Sequence, residues 1–150
     1  MFIPKELRGG LEHAIIVATM YHVGQVDKGF MPYILHPLRV MNNVDGYEAR
    51  IVGVLHDVVE DTEATIGALM AAGFSDTVTD AVGVLTKHKN ENYMHYITQL
   101  ALNPLAREVK LADLADNMDT TRLPGPLTEK DVKRLAKYQR AHDVLLYWLT

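Results

Sequence analysis

The chain has 150 residues, 48% of them apolar and 23% charged, with a formal net charge of −4 and no cysteine. That length suits one compact domain with a real core, and the missing cysteines exclude disulfides, thiolate metal sites and cysteine nucleophiles. The acidic balance argues against a general nucleic-acid binder, which shows a basic face, and with neither a bilayer-length apolar run nor a signal-peptide pattern a cytoplasmic protein without membrane partners is expected.

Leu11, Ala14, Ile15, Ala18 and His22 fall on one helical stripe, which predicts an amphipathic helix over about 10–23. Residues 24–33, with Gly24, Gly29 and Pro32, read as a loop carrying Gln25, Asp27 and Lys28. His36-Pro37 reads as the start of a helix with proline at its first position. That helix ends near Asn42-Asn43, and Asp45-Gly46 makes a turn.

A central helix is expected over 47–59, apolar nearly all round and therefore buried. It leads into His56-Asp57-Val58-Val59-Glu60-Asp61, an imidazole and three carboxylates within six positions. In a continuous helix His56 and Glu60, and likewise Asp57 and Asp61, share a face. So many acids at a helix C-terminus oppose its dipole, and a bound divalent cation is the simplest remedy for their mutual repulsion.

A short helix follows over about 65–72, closed by Gly73. Ser75 caps the next, with Val78, Ala81, Val82 and Leu85 inward. Asn90 is read as the cap of a further helix burying Tyr93, Ile97, Leu100 and Ala101. Asn103-Pro104 breaks it, and a helix over about 105–118 carries Lys110, Asp113, Asp116 and Asn117. After a turn at Pro124-Gly125-Pro126, Thr128 and Asp131 form a capping box. The last helix, about 128–149, is expected to bury Val132, Leu135, Tyr138, His142, Leu145 and Leu149. No segment alternates as a strand does, so the expected class is all-α: a single domain over 1–150, a bundle of about seven or more helices.

His36, His56, Asp57 and Asp113 are the candidate metal ligands. Their mixed nitrogen and oxygen donors suit manganese, iron, nickel, cobalt or zinc, with manganese favoured by the oxygen share. Glu60 and Asp61, one turn beyond the ligands, are placed to orient or deprotonate a water. His22 reads as a helix-end packing residue, and His13, His88, His95 and His142 as surface or packing residues. Lys87 and Lys89 need no role beyond helix-dipole compensation.

The separated His36, His56-Asp57 and Asp113 resemble the signature of HD-domain metal-dependent phosphohydrolases. The blocks Tyr21-His22-x-Gly24-Gln25, Lys28-Gly29, Pro32-Tyr33-Ile34, His36-Pro37-Leu38, Leu55-His56-Asp57-Val58-Val59-Glu60-Asp61-Thr62, Thr86-Lys87 and Lys110-Leu111-Ala112-Asp113-x-x-x-Asn117-Met118 narrow the resemblance to the hydrolase domain of RelA/SpoT-type proteins, which includes stand-alone small alarmone hydrolases. The likeness covers about 11–122, in the family's order. It implies manganese-dependent release of pyrophosphate from the 3′ position of (p)ppGpp, giving GDP or GTP, with His36, His56, Asp57 and Asp113 on the metal. It implies that Glu60, Asp61 and Asn117 serve catalysis and that Lys28, Asn117, Thr120 and the Asp27 position meet the substrate. The chain is too short for the synthetase and regulatory domains of the long members, so only hydrolysis is expected of it.

Three positions depart from that pattern. Asp27 stands where an arginine is usual, Asp116 where a histidine is common and Asp119 where an arginine is common. Carboxylates beside a polyphosphate repel it, by about 1 kcal/mol at a few ångströms in water and more when buried. Two alternatives follow: phosphatase action on another nucleotide, such as a nucleoside monophosphate or NADPH, and a domain that senses a nucleotide without hydrolysing it.

Overall fold

The computed structural model describes residues 2–150. A 3-10 turn, Lys5–Leu7, precedes α1 (Leu11–His22), α2 (Leu35–Asn42), α3 (Tyr47–Leu55), α4 (Val58–Asp61), α5 (Ile66–Ala72), α6 (Asp76–Leu85), α7 (Tyr93–Leu100), α8 (Pro104–Met118) and α9 (Glu129–Tyr147). Among the described residues there is no strand, only an isolated antiparallel bridge between Val26 and Pro32. No helix among them is long and apolar enough to cross a membrane.

Side-chain caps set the register of the helices. Thr65, Ser75, Asn103 and Thr128 each accept a backbone N–H at the start of α5, α6, α8 and α9, with Asp131 completing the capping box at α9. Gly73, at φ +103, closes α5 in the left-handed conformation that glycine adopts without a Cβ clash.

The structure departs from the sequence expectation at four places. The second helix begins at Leu35, so Pro37 is its third residue, where the missing N–H would have had no acceptor within the helix anyway. The central helix is not continuous. The His56 imidazole donates from Nδ1 to the Gly53 carbonyl at 2.7 Å, taking the acceptor that the Asp57 amide would use, and α3 ends at Leu55. The cap of α7 is Asn92, whose side chain accepts the His95 amide, whereas Asn90 occupies a left-handed turn at φ 70. α9 ends at Tyr147, short of Leu149; only its Ala141 and Leu145 are buried, and Val132 and Leu149 are exposed.

α3 lies at the centre. Val52, Val54 and Leu55 are fully buried with Ala14, Val40, Val82 and Val109 of α1, α2, α6 and α8. A second apolar cluster joins α7, α8 and α9 through Ile97, Leu100, Leu114, Ala141 and Leu145. α2 comes so close to α3 that a Cβ on Gly53 would lie 3.1 Å from the Met41 Cα. Between α1 and α2 the chain makes a tight loop, in which the Asp27 amide donates to the Met31 carbonyl and Phe30, 76% exposed, sits at φ 65.

Candidate metal centre

The packing of α2, α3 and α8 brings His36, His56, Asp57 and Asp113 together, with one donor atom from each lying within 4.8 Å of all the others. His36 projects from α2, His56 and Asp57 from the break between α3 and α4, and Asp113 from α8. The two histidines and Asp113 are buried. Both imidazoles point Nε2 inward, 3.3 Å apart. His36 Nε2 lies 3.1 Å from Asp113 Oδ1, and His56 Nε2 lies 2.9 Å from Asp57 Oδ2.

Each of the four side chains is held from outside the cluster. His56 Nδ1 donates to the Gly53 carbonyl, and His36 Nδ1 lies 2.7 Å from Asp116 Oδ2. The Tyr33 hydroxyl donates to Asp57 at 2.5 Å. Lys110 Nζ and the Asn117 amide donate to the two oxygens of Asp113, each at 2.7 Å. Outer partners of this kind fix the direction and tautomer of metal ligands.

Burial depresses the basicity of both imidazoles, but the carboxylates outweigh it. Hydrogen bonds to Asp113, Asp116 and Asp57 carry His36 up to about 11. The charges of Asp57 and Asp113 carry His56 up to about 10. Asp57 and Asp113 move the other way: burial raises them, but His56 for the first and Lys110 and His56 for the second hold both below the usual carboxylate value. The donor set fits a divalent ion. One dication among the four side chains would take the place of the protons that otherwise hold each inward Nε2 to its carboxylate, and would satisfy two imidazoles and two carboxylates together.

Two cavities, of about 390 and 430 Å³, flank the cluster and share Tyr33, Asn117 and Tyr138 in their walls. The first is lined by Asp27, Lys28, Thr120, His36 and Arg122, the second by Glu60, Asp61, Asp57 and Asp113. Asn117 thus stands between the residues named for substrate contact and those named for catalysis. Glu60 accepts the Lys87 amide at 2.5 Å. Partial desolvation pushes its carboxyl above the ordinary value despite that bond, and desolvation followed by the charge of Asp57 does the same to Asp61. Carboxylates of raised basicity beside a metal cluster suit proton abstraction from water.

The three departing carboxylates have local partners. Asp27 Oδ1 accepts the amides of Gly29 and Met31 and shapes the loop. Asp116 pairs with Arg39 at 2.7 Å and Arg122 at 3.2 Å, and Asp119 with Arg122 at 2.8 Å. Arg122 acts from the turn after α8, which ends at Met118. Sequence reading overlooked Arg39, Arg134, Lys137 and Tyr138. A basic stripe on α9 was the available signal, since Arg134 lines the first cavity, Lys137 the second and Tyr138 both. Lys87, read as a helix-end charge, lines the second cavity. His22 is buried with Nδ1 2.8 Å from Gln25 Oε1, while its Nε2 has no hydrogen-bond partner among the described residues.

No protein-family model matches the chain. It is similar to a probable GTP pyrophosphokinase of Mycobacterium leprae, 32% identical over 146 residues that cover 89% of this chain and 18% of that protein. It is similar to a probable guanosine-3′,5′-bis(diphosphate) 3′-pyrophosphohydrolase of Synechocystis, 33% identical over 83% of this chain and 18% of that protein. The bifunctional (p)ppGpp synthase/hydrolase SpoT of Escherichia coli is 30% identical over 91% of this chain and 21% of its own length. The chain therefore spans about a fifth of the length of these curated relatives. Among solved structures, that of a metazoan ortholog of SpoT described as hydrolyzing ppGpp superimposes with a TM-score of 0.74, covering 97% of this chain and 88% of that one at 20% identity. At that identity the likeness establishes the shared all-α HD-domain fold.

Proposed function

We propose that this chain, a hydrolase domain of the RelA/SpoT type, removes pyrophosphate from the 3′ position of (p)ppGpp, and that residues 1–150 form one such domain. The observation that carries the reading is the cluster of His36, His56, Asp57 and Asp113, set between two cavities whose walls include Lys28, Arg122 and Arg134 on one side and Lys87, Lys110 and Lys137 on the other. A cluster that would hold a metal, flanked by cations, suits a polyphosphate ester. The relatives named for (p)ppGpp hydrolysis supply the substrate class.

In this reading His36, His56, Asp57 and Asp113 hold one divalent ion, with manganese suited to the two oxygen and two nitrogen donors. Such an ion supplies Lewis acidity toward the phosphate. Glu60 and Asp61 take a proton from the attacking water, whose oxygen bonds to the phosphorus attached to O3′. The P–O3′ bond breaks, O3′ recovers a proton, and GDP and pyrophosphate result when ppGpp is the substrate. Asn117, between the two cavities, orients the reacting ester, while Lys28 and Thr120 receive the nucleotide. Asp27 keeps its loop in shape beside Lys28.

The test is product analysis after incubating chelator-stripped protein with ppGpp, with and without added manganese. GDP and pyrophosphate formed only with metal is the expected outcome. Intact ppGpp beside turnover of another phosphorylated nucleotide would transfer the reading to that substrate. Asp27, an anion in the first cavity at a position where the resemblance expects arginine, is the observation favouring this second reading.

A further inference from the structure

We propose that Asp116 is a positioning residue for the metal centre, its carboxylate fixing the direction and tautomer of the His36 imidazole and strengthening it as a ligand. This rests on the reading of the four-residue cluster as a metal site and adds a residue outside it.

The geometry has three parts. First, His36 turns Nε2 to the cluster and Nδ1 to Asp116 Oδ2 at 2.7 Å. A proton held on Nδ1 by that carboxylate leaves the Nε2 lone pair facing inward. Second, the carboxylate cannot swing away. Arg39 donates to both of its oxygens, from Nε at 2.7 Å and from a terminal nitrogen at 3.1 Å. Arg122 approaches the same carboxylate at 3.2 Å and donates to the Asp116 backbone carbonyl at 2.9 Å. His36 and Arg39 are one turn apart on α2, so that helix grips a single α8 carboxylate at two points. Third, the two inward imidazoles have unequal support. His56 leans on the neutral carbonyl of Gly53, whereas His36 leans on an ionised group. A carboxylate-backed imidazole carries more negative charge and donates more strongly to a cation. The Asp116 side chain is 8% exposed, and its charge is tolerated there because two guanidiniums answer it.

An ion pair that merely ties α2 to α8 would stabilise the fold without altering metal affinity, and this distinction is measurable. Mn²⁺ and Co²⁺ are titrated calorimetrically into chelator-stripped wild type, Asp116→Asn and Asp116→Ala, alongside the melting temperature of each metal-free protein. We expect affinity to fall roughly 10- to 100-fold in Asp116→Ala. The asparagine variant should lie between, because its amide oxygen still accepts from Nδ1–H without the charge. The visible absorption of the Co²⁺ form should shift in Asp116→Asn. Affinity within about twofold of wild type and an unshifted Co²⁺ spectrum in Asp116→Asn, with only a lower metal-free melting temperature, would overturn the proposal. The asparagine variant keeps the shape of the side chain and so carries the test if the alanine variant does not fold. Because no nucleotide enters the experiment, a wrong substrate assignment leaves its outcome untouched. Failure of the wild type itself to bind either ion would overturn the metal-centre reading together with this one.

Discussion

His36 Nε2 and His56 Nε2 face one another at 3.3 Å, each drawn inward by a carboxylate of the same cluster. Without metal the surrounding carboxylates favour the protonated imidazoles, carrying His36 up to about 11 and His56 up to about 10. Their raised values contribute stability that is complete below the unfolded imidazole value of about 6.5 and lost as pH rises through the folded values. The depressed Asp57 and Asp113 contribute stability present above about 3.9 and lost as pH falls through their low folded values. A metal must displace protons to enter, so its binding tightens with pH. The rise in melting temperature on adding manganese should therefore be larger at about pH 8.5 than at about pH 6. A rise that is constant or shrinks over that interval contradicts the assignment of the two imidazoles as ligands.

Asp113 is buried and Lys110 partly so, and the pair lies 2.7 Å apart. Asp113→Ala leaves an uncompensated, partly buried ammonium and should cost about 1–3 kcal/mol of folding free energy, besides removing one of the four clustered donors. Adding Lys110→Met should restore most of the stability and none of the metal binding. Urea unfolding of the two variants separates the effects; equal stabilities would show that the unpaired charge is not the source of the loss.

Lys137 stands over the rings of Tyr93 and Tyr138 at 4.6 and 5.4 Å, on the wall of the second cavity. If that cavity receives phosphates, Lys137→Gln should raise KM roughly tenfold, about 1.4 kcal/mol, with kcat little changed. A fall in kcat at constant KM would instead place Lys137 in the chemical step.

Much of this site was legible because its residues fall in ordered blocks, and the apolar stripes located the helices that carry them. What escaped depends on partners distant in sequence. Asp116 looked like an added repulsion because Arg39, the guanidinium that pairs with it, lies 77 positions earlier. The break before Asp57 follows from one side chain capturing one carbonyl, which helical periodicity does not encode. The last helix was read by its apolar stripe, although Arg134 and Lys137 give it a second, cavity-facing role.

Phe30 holds a left-handed backbone at φ 65 while the residue is 76% exposed, so little packing offsets the strain. Phe30→Gly should stabilise the protein by about 1 kcal/mol, the cost of placing a Cβ residue in that conformation. Denaturant midpoints decide it. A destabilised variant would mean that the ring makes contacts worth more than the strain.

Gly53 supplies no donor to the centre, yet it touches the placement of both imidazoles. Its bare Cα admits α2, the helix that carries His36, and its carbonyl aims His56. Exchanging ligands one for another would change the chemistry of the donors while leaving this gauge as it is. In the metal reading, refitting the centre to a larger or smaller ion would therefore be a problem of helix spacing, set in part at a position outside the four donors.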